Sequence, residues 1–273
     1  MTLPVSVYCI TKNEELRLGA TLAKVADWAD EVIVVDSGST DGTETIARQY
    51  GARFVVHEWQ GFAAQKAHAA SLCRNDWVLD LDADEVLSDE LVANIKALFT
   101  ADPDPGFAGF KMRWVLSQPL AGHPFRHDRS KRILRLYHRG RARIQGIAGS
   151  NDDRPKVLKG KVGVIPGDVL HRSVINLEQM ERKYLQLSCE QAQFLAEKGR
   201  KISSARLFVE FPLKFLKYYL LHRQIMNGWY GLSVSIAGAN RNFMRLAKAK
   251  EIQMLAELEP GEKPSRSAGV GDG

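Results

Sequence analysis

The chain has few cysteines and no long apolar runs, and each shortage excludes a class of protein. Its 273 residues hold three cysteines, Cys9, Cys73 and Cys189, which are too few and too far apart for a disulfide framework or a zinc site. No apolar run approaches the ~18 residues that a membrane-spanning helix needs. No basic leader precedes Thr11-Lys12-Asn13, so a secretory signal is not expected and the cytosol is the default compartment. There is no internal repeat. With 45% hydrophobic residues, the chain has enough apolar side chain to outweigh the entropy of ordering, which excludes disorder over most of its length. At roughly 150 residues per domain, the length suits one large domain or one domain with an appendage.

Acidic residues are scarce only in the second half. The net charge of +6 conceals 8 Lys+Arg against 18 Asp+Glu over residues 1–105, and 30 against 14 over residues 106–273. An acidic half can hold a cation. A basic half can face phosphates, nucleic acid or an anionic membrane, unless both are simply solvated faces of one protein.

Alternation of short apolar runs with amphipathic stretches fills the first hundred residues. Residues 4–10 predict a strand, and 14–28 a helix with Leu18, Leu22 and Val25 at helical spacing. The run Glu31-Val32-Ile33-Val34-Val35-Asp36 is rich in β-branched residues, as in a parallel strand buried on both faces. A helix is expected over 42–50 with Asp41 as its N-cap, then a strand over 53–57, a helix over 62–73, and a strand over 77–82. A further helix, capped by Ser88, runs to Phe99. Repeated βα units predict an α/β fold with a mostly parallel sheet flanked by helices, binding ligands beyond the carboxyl ends of the strands.

From residue 106 the pattern changes to longer strands, 107–116 and 131–137, with loops over 117–129 and 139–161. Residues 126–161 carry 12 Lys+Arg and 3 Asp+Glu. Beyond His171 the chain turns helical, with Leu177, Met180, Tyr184 and Leu187 in one stripe. A second helix over 205–223 mixes Phe208, Phe211, Phe215 and Tyr219 with Lys214, Lys217 and Arg223. It suits a membrane interface or a core-packed helix, and it begins properly at Pro212, since proline fits a first turn. The Gly-, Pro- and Ser-rich tail from Glu259 is expected to be disordered.

Two segments carry candidate chemistry. Asp80-Leu81-Asp82-Ala83-Asp84-Glu85 follows a strand, and clustered carboxylates repel unless a cation neutralises them, which points to a divalent metal with oxygen ligands. An EF-hand is excluded, because Glu85 stands where glycine is needed and Leu91 where the bidentate glutamate should be. A solvated acidic surface is the alternative. The second segment, Val35-Asp36-Ser37-Gly38-Ser39-Thr40-Asp41-Gly42-Thr43, is neither a dinucleotide fingerprint nor a P-loop. Asp36 at the strand end can accept hydrogen bonds from a ribose or a base, or the segment is only a capped turn. His123 and His127 share i, i+4 spacing, but Pro124 between them argues for a loop and against zinc.

Thr11-Lys12-Asn13-Glu14-Glu15, the 35–43 segment, Trp59-Gln60-Gly61-Phe62 with Gln65-Lys66, and Leu81-Asp82-Ala83-Asp84-Glu85 follow one another in order. Together they resemble the family 2 glycosyltransferases of GT-A fold, above all the bacterial branch that includes the lipopolysaccharide core β-1,4-glucosyltransferases. A weaker likeness continues through Gly160-Lys161-Val162-Gly163 and Gly167-Asp168-Val169-Leu170-His171 to about residue 250. The resemblance implies a nucleotide-sugar-binding half over 1–105, an acceptor-side half of the same domain over 106–172, a helical and membrane-interfacial extension over 173–258, and the tail over 259–273.

The same resemblance implies an inverting hexosyl transfer. The donor is a nucleoside diphosphate sugar, a UDP-hexose and by kinship UDP-glucose, and the acceptor a lipid-linked or lipopolysaccharide core saccharide. The enzyme would sit peripherally on the anionic cytoplasmic face of the inner membrane and have no nucleic-acid partner. Mg²⁺ or Mn²⁺ would lie near Asp82 and Asp84, with His171 close to the metal or the diphosphate, unless that histidine is structural. Thr11, Glu14 and Asp36 would line the nucleoside pocket, Lys66 would stand near the base or phosphates, and Asp82 near the ribose or the metal. Asp80 receives no role. An inverting displacement needs a base for the acceptor hydroxyl. Where this branch carries a His-Glu or His-Asp pair, the chain reads Gly149-Ser150-Asn151-Asp152-Asp153-Arg154-Pro155. The acid is kept and the histidine is not, so Asp153 is the expected base and Asp152 the second choice. The missing histidine also admits a catalytically impaired binding or scaffolding protein on the same fold. A nucleic-acid binder is the third reading, and no recognition-helix motif supports it.

Overall fold

In a computed structural model that describes residues 2–118, 130–145, 153–199 and 201–258, the β-branched runs become the strands they predict. These are β1 (Leu3–Thr11), β2 (Ala29–Asp36), β3 (Arg53–Val56) and β4 (Trp77–Asp82), joined through α1 (Leu18–Leu22), α2 (Thr43–Gln49) and α3 (Phe62–Leu72). The short β5 (Glu85–Leu87) and the helix α4 (Asp89–Ala101) follow, then β6 (Gly109–Leu116), β7 (Lys131–His138), the small ribbon of β8 (Ala142–Arg143) and β9 (Lys156–Val157), and β10 (Val162–His171). Asp152, the His123/His127 pair, most of the loop expected over 117–129 and the tail over 259–273 lie outside the described residues.

The large sheet has the order β3-β2-β1-β4-β7-β6-β10-β5. Its first four strands are parallel, β7 runs antiparallel to both β4 and β6, and β10 is parallel to β6. The chain therefore winds outward from β1 to β3, then crosses back to place β4 on the other side of β1. That reversal opens a crevice between the carboxyl ends of β1 and β4, the usual ligand position on such a sheet. Register brings Ile10 beside Asp82 and Thr11 beside Asp36.

Both faces of the sheet are covered. Val5, Val7, Leu79 and Leu81 pack with Leu18, Leu22, Trp28 and Ile95 on one side, while Tyr8, Ile33 and Val35 meet the alanine face of α3 on the other. Ser88 caps α4 as its sequence predicts, accepting from the Leu91 amide at 3.2 Å. Two local expectations are corrected. α2 begins at Thr43 with Gly42 as N-cap; Asp41 stands just ahead of it and still accepts from the Thr43 amide at 3.0 Å. The helix expected over 14–28 keeps α-geometry only in α1. Beyond it i→i−3 bonds, such as the Lys24 amide to the Thr21 carbonyl at 3.2 Å, alternate with i→i−4 bonds, such as the Ala26 amide to the Leu22 carbonyl at 3.0 Å, so the chain continues in irregular turns. Leu18, Leu22 and Val25 are buried all the same.

The chain divides into two compact units, Met1–Ile175 and Asn176–Gly273. The second comprises α5 (Leu177–Glu197), α6 (Ser204–Leu216), a π-helical turn over Lys217–Leu221, a 3₁₀ turn over Gln224–Asn227, and α7 (Gly228–Glu257). α6 starts at Ser204 behind a Ser203 cap, and Pro212 lies inside it, which corrects the start expected at the proline. Pro212 offers no N–H to the carbonyl of Phe208, and the helix widens into the π-turn soon after it. α7 packs on α5 and α6. Gly231 sits where a Cβ would come within 1.9 Å of the Gln224 carbonyl oxygen, so a side chain there is incompatible with the tight elbow. Among the described residues no helix is long and apolar enough to cross a membrane.

Candidate functional site

A cavity of about 620 Å³ occupies the crevice between the ends of β1 and β4, within the size range of small-molecule sites. Ile10 and Thr11 reach it from β1, Asp82, Ala83 and Asp84 from the end of β4, and His171 from the end of β10; Lys12, Glu14, Trp59 and Phe62 complete the wall. Trp59 and Phe62 meet edge to face, with centroids 4.8 Å apart. Sequence reasoning noted this aromatic pair only as part of a motif.

Of the residues singled out in the sequence, Thr11, Glu14, Asp82, Asp84 and His171 line this cavity. Asp36 is not among the lining residues and is 1% exposed. Its Oδ1 accepts from the amides of Gly38 (2.8 Å) and Ser39 (2.6 Å), and its Oδ2 from the hydroxyls of Thr11 (2.7 Å) and Ser39 (2.5 Å). Gly38 makes the turn possible with φ +85°, a conformation in which glycine has no Cβ to clash. Four donors occupy the carboxylate, so Asp36 shapes the cavity wall from behind. Glu14 receives the Arg17 guanidinium on both oxygens, at 2.6 and 2.7 Å. Burial raises its carboxyl above the usual range, against the pull of Arg17.

At the cavity floor, His171 Nε2 stands 3.1 Å from Asp84 Oδ2, with Nδ1 buried and unpartnered. The imidazole lies against Trp114, centroids 4.6 Å apart, and the Arg172 amide holds the Asp84 carbonyl at 2.7 Å. Burial opposes ionisation of Asp84, but the His171 contact outweighs it and holds the carboxyl below its ordinary value. Among the described residues no group of three His, Cys, Asp or Glu converges on one point. The pair of Asp84 and His171 nevertheless suits a hard divalent cation, which commonly takes one or two protein ligands and fills its remaining positions with phosphate oxygens and water.

Behind the floor lies the rest of the acidic cluster. Two buried cations of the protein itself face the acidic cluster. Lys66, 0% exposed, places Nζ 3.3 Å from Asp80 Oδ1, 2.7 Å from Asp82 Oδ1 and 3.0 Å from Asp153 Oδ2. Arg135 Nη1 donates to Asp80 Oδ2 at 3.0 Å, and its Nη2 to Asp82 Oδ2 at 2.7 Å and to Glu85 Oε1. Both oxygens of Asp82 thus already face cations. Despite burial, Arg135 and Lys66 hold its carboxyl far below the usual range. Lys66, expected near the base or phosphates, is fully buried among these carboxylates and is not among the residues that line the cavity. Burial works against its charge, yet Asp80 and the neighbouring carboxylates raise its ammonium above the ordinary lysine value. Asp80, left without a role by the sequence, is the innermost anchor of the cluster. Arg135 was missed: it stands between Leu134 and Leu136 in a strand that also carries Lys131 and Arg132, so nothing in the local sequence set it apart.

The expected base, Asp153, is brought to this cluster by Lys66 and is half-buried. Asp152 lies outside the described residues, so the structure places only one member of that pair. Glu85 supplies a pH-dependent element. Burial pushes its carboxyl from 4.5 up to about 7, with Arg135 opposing. Through that window the folded chain keeps the proton and the unfolded chain has lost it, so this group makes the fold less stable as pH rises. The slope is about 1.4 kcal/mol per pH unit for one such group. Chemical denaturation between pH 5 and 8 is expected to show a flatter profile for Glu85→Gln than for the wild type. Parallel profiles would contradict the assignment.

The family model for glycosyl transferase family 2 matches residues 6–152. An uncharacterized glycosyltransferase of Rickettsia prowazekii is 34% identical over 259 residues, covering 93% of this chain and 89% of that protein. The lipopolysaccharide core biosynthesis glycosyltransferase LpsC of Rhizobium meliloti is 31% identical over 258 residues, covering 90% and 92%. Among solved structures, glucosyl-3-phosphoglycerate synthase from Mycobacterium tuberculosis, in complex with Mn²⁺, UDP and glucosyl-3-phosphoglycerate, aligns over 41% of this chain and 44% of that chain. Its TM-score is 0.34 and its sequence identity 24%.

Proposed function

The chain belongs to glycosyl transferase family 2, and from that premise we propose that it moves a hexose from a nucleoside diphosphate donor, with inversion, to a lipid-linked or lipopolysaccharide core saccharide. Its sheet is that of the GT-A fold. One observation carries the reading: Thr11, Glu14, Asp82, Asp84 and His171, drawn from the ends of three strands, face a single cavity at the point where the strand order reverses. The acceptor class is supported by the name of LpsC, which is similar over nearly the whole of both chains. The donor is a UDP-hexose, with UDP-glucose the first to test. Such an acceptor puts the work at the cytoplasmic face of the inner membrane of a bacterium, with the enzyme peripheral to it.

Thr11, Lys12 and Glu14 would border the nucleoside, and Trp59 with Phe62 offer flat apolar faces to a base or a sugar ring. Asp84 and His171 would hold Mg²⁺ or Mn²⁺, which supplies positive charge to the leaving diphosphate. Asp82 would stand near the ribose or the metal, with Lys66 and Arg135 against its two oxygens. Asp153 is the general base. It takes the proton of the acceptor hydroxyl as that oxygen bonds to the anomeric carbon and the bond to the diphosphate oxygen breaks on the opposite face. Lys66 holds Asp153 Oδ2 at 3.0 Å, which leaves Oδ1 to receive the proton. Asp152 is the alternative base.

The stereochemistry of the product tests this reading. An α-linked donor should yield a β-linked product by NMR, and an α-linked product would remove single displacement and with it the role of Asp153.

A further inference from the structure

The unit Asn176–Gly273 carries an apolar face that its own helices leave uncovered. Leu213, Leu216 and Leu220 lie along one side of α6 and the π-turn that continues it, and at least half of each of Leu213 and Leu220 is exposed. Phe208 is 82% exposed, Leu221 77% and Trp229 64%. Large apolar side chains this exposed, spaced along one segment, suit an interaction site better than a solvated surface.

The face cannot be hidden by turning the helix. Another side of it is already engaged with α7: Tyr218 Oη accepts from Asn242 Nδ2 of α7 at 3.0 Å. Glu210 is buried, with Arg245 of α7 at 3.6 Å. Backbone geometry holds the elbow that presents Leu221 and Trp229. Arg223 adopts φ 55° and Gly228 φ 59°, and Gly231 admits no side chain against the Gln224 carbonyl.

Charge identifies the partner. Between residues 201 and 229 the basic side chains are Lys201, Arg206, Lys214, Lys217 and Arg223, and the single acid, Glu210, is turned inward. An apolar strip rimmed by charge of one sign suits a bilayer of anionic phospholipid, with leucine, phenylalanine and tryptophan in the acyl boundary and lysine and arginine among the headgroups. A second copy of the chain fits poorly, because a two-fold contact sets the same basic rim against itself.

We propose that the elbow of α6 and α7 is a membrane-docking surface that lies on an anionic bilayer. The proposal rests on the reading that brings the enzyme to a membrane-bound acceptor, but its test does not use turnover. The full chain is sedimented with vesicles of phosphatidylcholine alone or with added phosphatidylglycerol, at low and high salt. Partitioning is expected to be at least tenfold stronger on the anionic vesicles and to weaken with salt. Leu221→Glu with Trp229→Glu should lower it at least tenfold. Lys217→Glu with Arg223→Glu, which changes only exposed charged side chains, should lower it similarly if the first variant does not fold. Wild-type binding by folded variants, equal binding to both vesicle types, or no vesicle binding with a concentration-dependent dimer would each overturn the proposal. Release of diphosphate from donor in vesicle-free buffer is expected to be unchanged in both variants. Vesicle binding by a protein that turns over no donor would overturn the transferase reading and leave this surface standing.

Discussion

Replacing Asp84 by asparagine is expected to lower sugar transfer by about 10³-fold, the scale of losing a main electrostatic contact to a leaving group, while leaving the protein folded. The carboxylate faces the cavity, converges with His171 Nε2 at 3.1 Å and has Arg17 Nη1 at 3.8 Å. It is held below its ordinary value, burial notwithstanding, chiefly by the hydrogen bond and charge of His171. The site therefore favours the anion that a divalent cation needs. Asparagine preserves shape and one acceptor, so the structural cost is about 1 kcal/mol, that of one weakened hydrogen bond. The check is a transfer assay beside a thermal melt, repeated over a range of Mn²⁺. Loss of activity with a small change in melting temperature fits the assignment, and retained turnover removes Asp84 from the site.

Lys66→Met is expected to cost about 3–5 kcal/mol of stability, because it leaves buried carboxylates without their cation. Asp80 is fully buried. Burial already pushes its carboxyl above the usual range, with Lys66 and Arg135 opposing, and losing Lys66 leaves Arg135 to balance Asp80, Asp82 and Glu85 alone. Asp153→Asn should behave in the opposite way. That side chain is half-buried, at 29% exposure, and only one of its oxygens is within 3.0 Å of Lys66. Its loss should change stability little and lower kcat by 10²–10⁴-fold, the usual contribution of a general base, with the KM for donor nearly unchanged. Urea denaturation and steady-state kinetics on both variants separate the two roles. A Lys66→Met protein as stable as the wild type would mean that the cluster is not the anchor described above.

The four parallel strands were legible because apolar runs such as 31–36 cannot be solvated on either face, and the Ser88 cap because a serine hydroxyl has few better uses before a helix. The acids at the end of β4 were legible as a site, but the buried cations that face them were not. Lys66 and Arg135 reach Asp80 across 14 and 55 residues of chain, and no local pattern encodes a contact that only the sheet order creates. The same holds for Asp36, whose four donors come from Thr11 and its own turn. Its acidity and place at a strand end fit a ligand and a turn equally well. In the second unit, Pro212 pointed to a later helix start because a proline's missing N–H costs least in a first turn. α6 forms across it nonetheless, with the Ser203 cap setting its start.

The most direct test of the account is a screen of nucleoside diphosphate sugars against the wild-type protein, with and without Mn²⁺, reading thermal shift and release of the diphosphate together. The account predicts that one donor, with UDP-glucose the first to try, shifts the melt and slowly releases its diphosphate only when the metal is present. A folded protein that neither binds nor turns over any donor, with Mg²⁺ or Mn²⁺ supplied, would contradict it.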